Sequence, residues 1–241
     1  MKNHPLLYMV LTAVAALLTA CASAPPVPDW QLNARGAVER ATQAELAGNA
    51  RVARVEWQRA LEETRRTADP ARMARLRLVQ CAVQQSTLML DACTDWEVGL
   101  TGLPDAGSSL QAEQAYARYL AGAHTLEDLP LLPAAHRAIA RLMPTSAPDN
   151  WASALQAVPD PLSRLVAASA LLRAQQIDPG ALAVAVDTAS QMGWRKPLLG
   201  WLTLQAQVAE AAGDEAQAAW ARQRLALLSA AAATRPSQTA D

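Results

Sequence analysis

Three cysteines, three histidines and a few neighbouring carboxylates are the residues of this 241-residue chain with the widest chemical reach. General acid–base catalysis needs a positioned histidine or a carboxyl of raised pKa beside the reacting atoms. His124 and His136 fall in different segments, His124 in the loop-like Ala-Gly-Ala-His-Thr and His136 beside Arg137 on a helix. Neither has a second ligand at metal-binding spacing, and both read as ordinary packed or surface histidines. The pairs Glu62-Glu63 and Glu127-Asp128 could share a proton. Adjacent residues on a helix point in different directions, however, so both pairs read as solvated faces. No glycine-rich phosphate cradle follows a strand, and no Gly-x-Ser-x-Gly nucleophile turn is present. The sequence therefore assigns no catalytic residue, no metal ligand and no cofactor.

The cysteines carry more information. Cys21 closes a segment in which Lys2 precedes an apolar run from Leu6 to Leu18 and the ending Leu18-Thr19-Ala20-Cys21. This is the layout of a secretory signal peptide. The run is too short to be a membrane-spanning helix, which needs ~20 residues. The Leu-Thr-Ala-Cys ending resembles the bacterial lipobox. That resemblance implies cleavage after Ala20 and acylation of Cys21 with palmitate-type chains, and Ala22 in place of Asp implies sorting to the outer membrane. Several fatty chains would make a permanent tether facing the periplasm. A plain signal peptide without lipidation is the alternative. Lipidation would leave Cys81 and Cys93 as a pair, and in an oxidising envelope the pair is expected to be a disulfide. On one continuous helix they would lie ~18 Å apart, far beyond disulfide reach. The bond therefore requires the chain to reverse within Gln84–Asp91; two separate buried thiols are the alternative.

Tryptophan is abundant, seven residues in a chain with no phenylalanine. Helix packing needs bulk, so most of the seven read as core. Two places look more like contact surface, since aromatics are enriched at interfaces. Tyr116 and Tyr119, spaced i, i+3 around Arg118, put two phenols on one helix face. Trp194, Arg195 and Lys196 set an aromatic and two cations at a connection between helices. These five residues are the sequence's candidates for partner binding. Charge is unevenly spread: residues 29–80 hold ten Arg against seven acids, and residues 81–128 one Arg against seven acids. The net charge of −1 gives no reason to expect nucleic acid as a partner.

The elements that must position these residues are helices. The sequence predicts a signal peptide over 1–20, a lipidated cysteine and Pro-rich stalk over 21–28, a helical domain over 29–229 and a disordered tail over 230–241. Ala, Leu, Arg, Gln and Glu dominate, and no alternating Val/Ile/Thr run suggests a strand. Predicted helices cover 30–47, 50–67, 70–85, 94–100, 109–121, 132–143, 149–158, 160–176, 179–192, 197–212 and 214–229. Asp-Pro starts at Asp69, Asp160 and Asp178 mark three N-termini, and Gly193 marks a terminus.

Within the first hairpin, Ala41, Gly48, Ala53, Trp57 and Ala60 fall at spacings of seven, five, four and three. This pattern is similar to the tetratricopeptide repeat. Ala206, Gly213 and Ala218 repeat the first two spacings, after which Arg222 stands where a bulky apolar residue belongs. The middle of the chain keeps no clear ~34-residue period. The resemblance implies an all-α, tetratricopeptide-like array of antiparallel helix pairs, an α-solenoid that offers a surface to partner proteins. The function expected is a non-enzymatic envelope scaffold. The alternatives are a cell-wall-acting enzyme and a binder of a small apolar ligand within the array.

Overall fold

A computed structural model of the chain describes residues 26–91, 93, 96, 110–144 and 151–233. Cys21, most of the stalk, the predicted helix over 94–100 and the end of the tail lie outside the described residues. Those described are helical, with no strand among them. We label the helices α1 (Asp29–Ala47), α2 (Ala50–Arg65), α3 (Pro70–Ser86), α4 (Gln111–Leu120), α5 (Ala134–Leu142), α6 (Trp151–Gln156), α7 (Pro161–Arg173), α8 (Pro179–Gln191), α9 (Arg195–Ala211) and α10 (Glu215–Ala233). A 3-10 helix, Leu126–Leu131, joins α4 to α5.

Local chemistry sets the helix ends. Gly48 adopts φ +83° and Gly213 φ +73°, the left-handed conformation that closes a helix at little cost only for glycine. The Asp69, Asp160 and Asp178 carboxylates each accept backbone N–H bonds from the first turn of the helix that follows. Asp178 also accepts the Trp151 amide at 2.9 Å, so one carboxylate caps both α6 and α8. α10 continues through residues 230–233, into the segment predicted as tail.

In the α1–α2 hairpin, Ala41, Ala53, Trp57 and Ala60 all turn inward and are at most 2 % exposed. The small residues let the two helices approach, and the Trp57 ring fills the space beside them. The larger core surrounds α7, whose run Leu165–Leu171 is buried on every side. A helix that is apolar all round belongs at the centre of a fold. Here α3, α4, α5, α6 and α8 pack around it.

Contacts also join elements far apart in sequence. α9 packs on α10 and α8, and in addition touches α1. Gly200 on α9 sits so close to the Thr87 carbonyl that a Cβ would approach it to 3.2 Å. Nearby, the buried Trp201 indole donates to the Ser86 carbonyl at 3.0 Å. The two ends of the helical domain are thereby tied to each other through the turn after α3.

That turn is the reversal the cysteine spacing requires. α3 ends at Ser86, Leu88 takes φ +63°, and the Met89 amide returns to the Gln84 carbonyl. Cys81 and Cys93 come to disulfide distance, with Cα atoms 5.1 Å apart. A link closing so short a loop should contribute ~3 kcal/mol by restricting the unfolded chain. Cys81→Ala with Cys93→Ala should lower the denaturation midpoint accordingly. Unreduced, unfolded protein should expose no labelled thiol at either position.

Candidate functional site

The connection between α8 and α9 builds a cleft. Gly193 ends α8 with φ +65°, and the Trp194 amide bonds back to the Ala189 carbonyl at 3.0 Å, turning the chain sharply into α9. Trp194 is thus held as one wall of a cleft of about 550 Å³. The opposite wall is the C-terminal half of α1, including Val38, Gln43 and Leu46, and the floor is the start of α7 at Asp160, Pro161 and Leu162. Such a volume lies within the range of ligand and peptide side-chain sites.

The three residues predicted together here have different roles. Trp194 lines the cleft. The Lys196 ammonium instead forms an ion pair with the buried Glu45 carboxylate and lies 2.9 Å from the Met89 sulfur. Lys196 therefore clamps α1, α9 and the turn after α3 together. Arg195 is half-buried, with its guanidinium over Gly48 and no ion-pair partner among the described residues.

Tyr116 and Tyr119 do share a helix face, their rings stacked at 6.2 Å. That face points inward. Tyr119 is fully buried against His124 and His136. Tyr116 lines an apolar groove of about 390 Å³ between α3, α4 and Leu131–Pro133. Burial pushes both phenols up, so they stay protonated.

Both histidines of this cluster are core residues. The His124 Nε2 lies 2.7 Å from the Ala140 carbonyl, which accepts its proton. His136 has its Nε2 3.5 Å from the Tyr116 hydroxyl and is lowered to about 4 by burial, with the Asp160 charge opposing the shift. In the unfolded chain a histidine titrates near 6.5. The unfolded state therefore binds the extra proton first, and stability falls as pH drops from ~6.5 towards ~4, by about 3 kcal/mol in all. The Glu56, Asp69 and Asp128 carboxyls are held below their ordinary values, and their contributions are lost only at lower pH. Urea titrations at pH 7 and pH 4.5 should show this loss for the parent, and His136→Phe should flatten it.

Sequence reading missed three buried carboxylates that hold elements together. Asp128 is not solvated: it is 4 % exposed, paired bidentately with Arg118, and accepts the Thr125 amide at 3.0 Å. The Arg118 guanidinium holds its carboxyl below the usual range. Glu113 accepts from Arg75 Nη2 at 2.7 Å, and Glu45 receives Lys196. The sequence also gave no sign of a polar cleft of about 590 Å³ beside the cysteine pair, lined by Gln85, Trp96, Arg118 and Arg173. No signal marked these pairings, because each joins segments whose proximity depends on the tertiary fold.

Among the described residues, no three His, Cys, Asp or Glu side chains are grouped to hold a metal ion. No described helix is long and apolar enough to cross a membrane. Comparison of the chain with protein-family models, curated proteins and solved structures finds no match.

Proposed function

We propose that this chain is a non-enzymatic scaffold of a bacterial envelope, anchored to the outer membrane through an acylated Cys21 and presenting a helical surface to envelope proteins on the periplasmic side. The reading of the N-terminus rests on its apolar run and Leu18-Thr19-Ala20-Cys21 ending. The architectural part rests on the two terminal hairpins. α1–α2 and α9–α10 each close through a left-handed glycine and bury small residues at the spacings of the tetratricopeptide repeat. We read the domain as degenerate repeats of this kind, closed on itself where α9 meets α1.

The observation that carries the binding role is the Trp194 cleft. It lies between the first hairpin, the central helix and the last hairpin, and its walls combine an indole with aliphatic and amide side chains. That composition suits an extended segment of a partner protein, with the indole supplying apolar area and the Asp160 and Glu39 carboxylates at its edges. A photo-crosslinking side chain at Gln43, inside the cleft, should give discrete protein adducts in intact envelopes. The same group at Ala138, on the exposed face of α5, should not. Equal adducts at both positions, or none at Gln43, would contradict the assignment.

The Tyr116 groove supports a second reading, the binding of a small apolar ligand. Leu78, Val79, Ala112, Leu131, Leu132 and Pro133 make most of its lining.

A further inference from the structure

The last helix is apolar on the side that faces away from the molecule. α10 directs Ala218 and Ala221 into the core, with Leu225 and Leu228 partly buried beside them. At ~100° per residue, the opposite face is Ala219, Trp220, Gln223, Ala226, Leu227 and Ala230, and all six are exposed. Trp220 is 54 % and Leu227 67 % exposed. By contrast, the outer face of α2 sets its exposed Val52 and Val55 among Arg51, Arg54, Arg59 and Glu62. The charges nearest the α10 stripe are drawn aside: Arg222 turns to Glu210 and Glu215, and Arg224 is partly buried. A terminal helix that stays in water normally shows a polar outer face, and a helix apolar on both sides normally has both covered.

We infer that α10 pairs with α10 of a second copy, antiparallel about a two-fold axis between Gln223 and Arg224. The spacing of the stripe is self-complementary. Trp220 and Leu227 lie seven residues apart, so turning one helix end for end about the point between Gln223 and Arg224 sets Trp220 against Leu227 of the other copy, twice. Gln223 then meets its own equivalent, and a side-chain amide carries both the donor and the acceptor that such a pairing uses. Alanines at 219, 226 and 230 leave room for the helices to approach. This is an isologous contact, the commonest kind in homodimers. Its area is small: the stripe offers on the order of 500 Å² per copy, against the ~800 Å² of a standard interface. The pair is therefore a weak one in solution.

The test uses the full-length chain in mild detergent, single cysteine substitutions on α10, mild oxidation, and non-reducing electrophoresis. Gln223→Cys should give a covalent dimer above the background of the parent chain. Trp220→Cys mixed with Leu227→Cys should give a heterodimer. Ala216→Cys should not dimerise, because the antiparallel arrangement separates the two copies of that position by roughly 22 Å at ~1.5 Å per residue. Adding Leu227→Glu to Gln223→Cys should abolish the dimer while leaving the melting temperature unchanged. No dimer from Gln223→Cys would overturn the inference and leave the stripe to a lipid surface or another protein. Dimers formed equally at 216 and 223 would overturn it too, by indicating parallel or random contact.

Discussion

Trp201→Ala should destabilise the fold by about 4 kcal/mol, a fall in melting temperature of roughly 10 °C for a domain of this size. The side chain is fully buried, so its removal leaves a cavity among α8, α9 and the turn after α3. It also strands the Ser86 carbonyl, whose partner is the Trp201 N–H at 3.0 Å. The two losses can be separated. Trp201→Phe keeps much of the ring and loses the hydrogen bond, so it should cost about 1–2 kcal/mol from the unsatisfied carbonyl, in addition to the smaller volume change. Near-parent stability of Trp201→Ala in a chemical-denaturation series would mean that α9 does not hold the two ends of the domain together.

Trp57→Ala is the second large expected effect, about 3–5 kcal/mol. Trp57 is 2 % exposed and packs between α1 and α2, but its indole nitrogen has no hydrogen-bond partner among the described residues. Trp57→Phe should therefore be far milder than Trp201→Phe, because no hydrogen bond is broken. Ala53→Leu attacks the same contact from the other direction. Ala53 is 1 % exposed, so the three heavy atoms that leucine adds have nowhere to go, and overpacking should cost about 1–3 kcal/mol. Melting curves of the three variants against the parent decide this. If Trp57→Ala and Ala53→Leu both melt with the parent, the hairpin is not packed through these positions.

What was legible in the sequence was local chemistry or a distance bound. The Asp-Pro helix starts and the glycine stops act within a turn of where they stand, so Asp69, Asp160, Asp178 and Gly193 mark real ends. The reversal between Cys81 and Cys93 was legible because a straight helix would hold the sulfurs apart. The 3-10 helix was not: it falls between the helices predicted over 109–121 and 132–143, and the Thr125–Asp128 capping box and Arg118 give it structure. His124 does stand in a loop, but its burial was not legible, because its partner, the Ala140 carbonyl, lies on α5 and reaches it only in the tertiary fold. Lys196 looked like a surface cation for the same reason: Glu45, its partner, stands 151 residues away in the chain. Burial of Tyr119 follows from which face of α4 meets α7, which i, i+3 spacing alone does not determine.

Lipid anchoring of the N-terminus can be read from the intact mass of the mature protein. The chain should begin at Cys21, be heavier than residues 21–241 by the mass of its acyl groups, and sediment with the outer membrane. Cys21→Ser should abolish the added mass and either release the protein from the membrane or leave it as the uncleaved precursor. A mature parent chain of unmodified mass, or one unchanged by Cys21→Ser, would contradict it.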